Sequence, residues 1–110
     1  MRPTSPSTAP PTGGCLNVAV LGSTGSIGVS TLEVIAASQG RFAPFLLAAH
    51  RSTQPLLEQA RIFRPRWLVV VDPAAAAGID AAALPPGTSL AVGAEALDEL
   101  VAAPEVDRVV

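Results

Sequence analysis

The sequence predicts an α/β protein, a Rossmann-like doubly wound parallel sheet, and three observations carry that expectation. Short apolar runs suited to buried strands alternate with amphipathic segments between residues 16 and 110. Glycine or proline punctuates most of the junctions. The first run leads directly into Gly22, Gly25 and Gly28, spaced by three, within the segment LNVAVLGSTGSIGV.

Each element follows from its residues. Residues 1–15 are rich in Pro, Ser and Thr with no apolar run, and they read as a disordered extension. The Rossmann-like domain is then residues 16–110, an incomplete one. Val18, Val20 and Leu21 mark a first strand, and Ser26 to Ser38 a helix. Phe45 to Ala49 is a second apolar run, entered after Gly40 and Pro44 and left at His50. Ser52 or Thr53 caps the next helix, with Pro55 in its first turn and Leu56, Leu57, Ala60 and Phe63 on one face. Trp67 to Val71 is a third strand between Pro65 and the pair Asp72-Pro73. A short alanine-rich helix over Ala74 to Ala77 precedes a stretch from Gly78 to Gly87 that carries two prolines. Ser89 to Val92 gives a fourth strand, and Gly93 to Ala102 a helix with Leu97, Leu100 and Val101 as its buried stripe. Pro104 stops that helix, and Asp107 to Val110 opens a fifth strand. Right-handed crossovers join parallel strands of this kind.

The glycine turn is the candidate site. A strand that feeds a helix through such a turn aims the first free helical N–H groups at one spot, where the positive end of the helix dipole also lies. An anion is favoured there. Glycine suits the tight bend and the close approach of helix to sheet or of backbone to a pyrophosphate. Ser23, Thr24 and Ser26 are hydroxyl donors around the same spot. The spacing G-x-x-G-x-x-G differs from the G-x-G-x-x-G of the common dinucleotide fingerprint, so the pattern by itself also admits a turn with no ligand.

In an open parallel sheet ligands lie at the carboxyl ends of the strands, which gives weight to the loop after the second strand. A cofactor with a free ribose 2′-hydroxyl is gripped there by Asp or Glu. No acidic residue stands between Glu33 and Glu58, and the expected position falls within Ala48-Ala49-His50-Arg51-Ser52. The planar cation of Arg51 suits a phosphate through paired N–H bonds, with Ser52 and Thr53 as further donors. NADPH therefore fits better than NADH, against the plain alternative that Arg51 is a solvated loop residue.

Composition narrows the remaining classes. At 110 residues the chain suits one domain, and 49% hydrophobic content with a net charge of −2 excludes general disorder. That charge supplies no reason to expect nucleic acid, although Arg61, Arg64 and Arg66 cluster near a helix end, where cations favour the dipole. Cys15 is the single cysteine and His50 the single histidine, so neither a disulfide framework nor a histidine or cysteine metal cluster can be assembled from one chain. Asp72, before Pro73, reads as a turn cap, with a cofactor ribose contact as the alternative. No stretch suits a secretory signal or a membrane span, and a cytoplasmic location is expected, with a transit peptide as the lesser alternative.

Several segments in order resemble one family. GSTGSIG followed by VSTLEVI, then FLLAAHRST, then FRPRWLVVVD, is similar to the amino-terminal domain of 1-deoxy-D-xylulose 5-phosphate reductoisomerases, over Asn17 to Val110. The resemblance implies NADPH binding at the turn, at Thr24, Gly25, Ser26 and Ile27. Where many members have Gly-Lys-Asn after the second strand, this chain has His50-Arg51-Ser52; Arg51 keeps the charge while His50 and Ser52 depart from the pattern. It further implies rearrangement and NADPH-dependent reduction of deoxyxylulose phosphate to methylerythritol phosphate in isoprenoid synthesis, with a divalent metal, Mg or Mn, and a homodimer acting on a phosphosugar. The metal ligands and the substrate-phosphate site are expected further along a longer chain, so this sequence reads as a fragment truncated before the catalytic domain, with no catalytic residue of its own. The alternatives are the cofactor domain of another NADPH-dependent reductase such as aspartate-semialdehyde dehydrogenase, whose G-x-T-G-x-x-G turn and Arg-Ser are similar, or a non-enzymatic dinucleotide-sensing domain.

Overall fold

Strand and helix alternate from the first described residues onward. A computed structural model describes residues 15–110; the expected extension, apart from the exposed Cys15, lies outside the described residues. Its elements are β1 (Leu16–Leu21), α1 (Ser26–Ala37), β2 (Phe42–Ala49), α2 (Thr53–Phe63), β3 (Trp67–Val70), α3 (Pro73–Ala76), β4 (Ser89–Val92), α4 (Ala94–Val101) and β5 (Arg108–Val109). A single 3₁₀ turn over Ala81–Ala83 sits between α3 and β4.

All five strands are parallel, in the order β4-β3-β2-β1-β5. The chain steps outward from β1 to β4 and then returns to pair β5 on the free side of β1. Reversal at β1 is the topological switch of an open α/β sheet, the place where such sheets leave a crevice at their carboxyl ends. Asn17 secures the return: its N–H donates to Asp107 Oδ2 at 2.7 Å, its Nδ2 to Glu105 O at 2.9 Å, and its carbonyl accepts from Asp107 N at 2.8 Å.

Strand alternation sorts the core into two layers. Val18, Val20, Leu47, Ala49, Leu68 and Val70 face Leu32 and Ile35 of α1, Leu56 and Ala60 of α2, and Ala76 of α3. Ala19, Leu46, Ala48 and Val69 face the other way, against half-buried Leu97, Leu100 and Val101 of α4. Both stripes read from α2 and α4 are therefore the ones that pack. Burial of the branched side chains of both layers is the main favourable term in such a fold, about 1.5–3 kcal/mol for each fully buried Val or Leu.

The start of β2 departs from the sequence reading, and the end of α2 and the approach to β4 add two further details. β2 begins at Phe42 rather than Phe45, although Pro44 lacks an N–H. The registers Val18↔Pro44 and Ala19↔Leu46 leave Phe45 as an extra, bulged residue, and β3 pairs with β2 only from Leu46 onward. Pro44 thus faces an open side of the sheet, where a missing donor costs nothing. α2 ends on Arg64 at φ +50°, a left-handed cap that a non-glycine residue seldom adopts. Buried Thr88 donates its Oγ1 to Pro65 O at 2.6 Å just beyond that cap, tying the turn after α2 to the start of β4.

Candidate functional site

The site is built at the carboxyl end of β1, between β2 and β5. Leu21 pairs with Ala48 on one side and donates its N–H to Val110 O at 2.9 Å on the other, so the chain leaves the sheet at a fixed point. Gly22 follows at φ +65°, a conformation glycine adopts without cost. Gly25 N–H then returns to Gly22 O at 3.0 Å and closes the turn. Gly28 is required by contact: a Cβ there would fall 2.5 Å from Ser23 Cα and closer still to Gly22 O. Gly25 is less constrained, its added Cβ meeting only Gly22 O at 3.4 Å.

The turn delivers the open end of α1. Gly25 occupies the cap position with no side chain to bond the helix, and the first helical bond runs from Val29 N–H to Gly25 O at 2.9 Å. The amides of Ser26, Ile27 and Gly28 precede that bond and have no helical acceptor. No acidic residue stands in this first turn. Gly25, Ser26 and Ile27 are exposed and Thr24 is half-buried, whereas Gly28 is buried against the turn. Open amides at the positive end of a helix, with no carboxylate to neutralise them, favour an anion.

Ser23 corrects the sequence reading. Expected as a donor toward the phosphate, it is fully buried, and its Oγ donates inward to Gln59 Oε1 at 2.8 Å. Gln59 Nε2 donates back to Ser23 O at 2.8 Å, and Ser23 N–H donates to Ala48 O at 2.9 Å. Every polar group of Ser23 is engaged within the fold. The residue holds the turn in place and presents no hydroxyl to its open side.

The loop after β2 lies at the same edge of the sheet. Arg51 is 71% exposed, and its Nε lies 3.6 Å from Asp72 Oδ2 at the start of α3. Asp72 caps α3 as expected, Oδ1 accepting from Ala74 N at 3.0 Å. His50 is exposed, and its carbonyl accepts the Asp72 N–H at 2.9 Å. Ser52 takes the cap position of α2 without a side-chain bond, its carbonyl accepting from Leu56 N at 3.3 Å. The structure thus brings His50, Arg51 and Ser52 to the strand ends as a loop whose one cation stays largely exposed while pairing with Asp72 through Nε.

Two site-building residues escaped the sequence reading. Gln59 carried a signal, since its spacing from Leu56 and Phe63 sets a polar side chain on the buried face of α2. Asn17 carried none, its role depending on where β5 returns. The Arg cluster is accounted for locally: Arg61 lies in the last turn of α2, Arg64 caps it, and the Arg66 guanidinium lies 5.8 Å from the Trp67 ring centre. Among the described residues no group of three or more His, Cys, Asp and Glu side chains could hold a metal ion, and no helix is long and apolar enough to cross a membrane.

A parallel sheet that reverses at its first strand, with a glycine turn at that strand's carboxyl end, defines the Rossmann-like class of α/β domains. Residues 18–110 match the family model of 1-deoxy-D-xylulose 5-phosphate reductoisomerase, and the chain belongs to that family. It is 46% identical over 95 residues to the reductoisomerase of Dechloromonas aromatica, a match covering 84% of this chain and 24% of the relative. Over 76 residues it is 53% identical to that of Anaeromyxobacter sp. strain K, covering 69% of this chain and 19% of the relative. Among solved structures, a reductoisomerase in complex with NADPH, fosmidomycin and magnesium superposes with a TM-score of 0.73 at 31% identity, over 86% of this chain and 23% of the other. The Zymomonas mobilis reductoisomerase in complex with NADPH gives 0.62 at 34% identity, over 76% and 22%. The chain therefore spans about a quarter of the length of these relatives, and the match decides between the reductoisomerase and the aspartate-semialdehyde dehydrogenase readings.

Proposed function

We propose that residues 16–110 form the NADPH-binding portion of a 1-deoxy-D-xylulose 5-phosphate reductoisomerase. The observation that carries this reading is the placement, on one sheet edge, of an uncompensated helix end behind Gly22 and Gly25 and of Arg51, 71% exposed in a loop after β2 that holds no acidic residue of its own and paired through Nε with Asp72 of the next strand end. Thr24, Gly25, Ser26 and Ile27 supply backbone and side-chain donors to the pyrophosphate, and Gly22 and Gly28 give the turn the shape that lets a ligand approach. Arg51 receives the 2′-phosphate, flanked by His50 and Ser52. Ser23 supports the turn from behind. Two solved relatives named as NADPH complexes support the same cofactor.

When bound, NADPH supplies the hydride; the residues of this chain hold and orient it. The phosphosugar chemistry belongs to the family, in which deoxyxylulose phosphate is rearranged and reduced to methylerythritol phosphate for isoprenoid synthesis. A magnesium complex among the solved relatives supports a divalent metal for the complete enzyme. The described residues of this chain do not fit such an ion, since they gather no ligand cluster. Homodimeric assembly and a cytoplasmic location follow from the same family reading.

Calorimetric titration of the chain with NADPH and NADH tests the proposal. NADPH is expected to bind at least tenfold more tightly, the scale of one charge-assisted pair. Equal affinities, or no binding of either, overturn it.

A further inference from the structure

We propose that Gln59, on α2, is the positioning residue of the phosphate turn, and that it acts through Ser23. This inference rests on the NADPH-binding reading above and extends it to a residue outside the turn. The carboxamide is the one side-chain group that satisfies Ser23 twice over: Oε1 accepts from the hydroxyl and Nε2 donates to the backbone carbonyl, both at 2.8 Å. Together these bonds close a ring between residues 36 apart in sequence.

The location of this ring gives it leverage. Ser23 is the second residue of the bend closed by Gly25 N–H on Gly22 O, so its carbonyl orientation sets the peptide plane that leads into Thr24. Among the described residues no other donor engages that carbonyl. Gly22 and Gly25 lack side chains that would restrict the bend, and glycine leaves the backbone more freedom than any other residue. A turn rich in glycine pays a larger ordering cost when it closes on a ligand, unless something already fixes it. The clamp from α2, together with the Ser23 N–H bond to Ala48 O, fixes it beforehand. α2 itself is anchored by buried Leu56 and Ala60, so the clamp has a rigid base.

The chemistry is specific to Gln. Leu at this position keeps the volume and removes both bonds. Glu accepts a hydrogen bond from the hydroxyl but sets a carboxylate against the Ser23 carbonyl in place of a donor.

The test compares Gln59→Leu with Leu57→Ala, which trims a half-buried side chain of the same helix without touching the turn. Two readouts are taken on the whole chain: the dissociation constant for NADP⁺, and backbone order parameters of Gly22 to Ser26 from ¹⁵N relaxation. Gln59→Leu is expected to weaken NADP⁺ about tenfold and to drop the turn's order parameters below about 0.6. Leu57→Ala should lower the melting temperature while leaving both readouts at their original values. Loss of ordering with no NADP⁺ binding by the unsubstituted chain would overturn the NADPH reading and keep the clamp. Unchanged order parameters and affinity in Gln59→Leu, with NADP⁺ binding intact, would overturn the clamp and keep the NADPH reading. Equal effects from both substitutions would also overturn it, since the role would then be structural only.

Discussion

The guanidinium of Arg51 and the carboxylate of Asp72 face each other across the ends of β2 and β3, with Nε 3.6 Å from Oδ2. Asp72 is held from the other side, because its Oδ1 caps α3 and its N–H donates to His50 O. A fixed carboxylate that meets Arg51 through Nε leaves the two terminal nitrogens of the fork unengaged by it. Those are the donors that match a phosphate in paired fashion. An exposed pair of this kind contributes little stability by itself, on the order of 0–1 kcal/mol.

Arg51→Glu is expected to weaken NADPH by tenfold or more while changing NADH less than about threefold, since the new carboxylate repels a 2′-phosphate yet can accept a ribose hydroxyl. Parallel titrations of the variant with the two cofactors check this. Equal losses would remove Arg51 from the 2′-phosphate site and return it to the solvated loop.

Asp72 has two roles that substitution separates. Asp72→Asn keeps an oxygen for the Ala74 amide and removes the charge facing Arg51, so urea unfolding should show a loss below about 0.5 kcal/mol. Asp72→Ala removes the cap as well and should cost about 1 kcal/mol more. A larger loss in the Asn variant would mean that the ion pair, and not the cap, joins the two loops.

Gly25 and Gly28 should not be equivalent. Gly28→Ala forces a Cβ into the Gly22 and Ser23 backbone, neither of which can rotate away, and should destabilise the chain by about 1–3 kcal/mol. Gly25→Ala meets one oxygen at 3.4 Å with φ at −81° and should be tolerated for folding. Thermal unfolding of the two variants side by side ranks them; a milder effect for Gly28→Ala would mean that α1 can shift away from the turn.

How much of this was legible in sequence depends on the distance over which each feature is decided. The strand-turn-helix unit was readable because its causes are local: apolar Val18 and Val20, then Gly22 and Gly28 at fixed spacing. Arg51 was placed on the right edge because the carboxyl end of β2 follows from the strand run before it. Ser23 was misassigned because a hydroxyl beside glycines looks the same whether it faces a ligand or a neighbouring helix. Only the packing of α2 against the turn, through Gln59, decides which. The early start of β2 was hidden for a similar reason, since the tolerance of Pro44 depends on where β3 stops pairing. Asn17 reaches across 90 residues to Asp107, beyond any local pattern.

Asn17 secures the shortest strand of the sheet. Among the described residues β5 has two residues, pairs only with β1, and leaves Val109 and Val110 each 50% exposed at the sheet edge. An unpaired apolar edge is a template for another chain. Loosening the grip on residues 105–107 with Asn17→Ala, which loses the Nδ2 bond to Glu105 O and keeps the two backbone bonds to Asp107, should raise the fraying of β5 and the exposure of the free side of β1. Sedimentation velocity of this chain over a range of concentrations is expected to show association, increased by Asn17→Ala and reduced by Val109→Lys, which places a charge on the edge. Amide exchange locates the cause: Val110 N–H, bonded to Ala19 O at 2.9 Å, should lose protection in Asn17→Ala before the amides of β2 and β3 do. Association that ignores both substitutions would assign self-contact to a different surface and leave the β5 edge closed to partners.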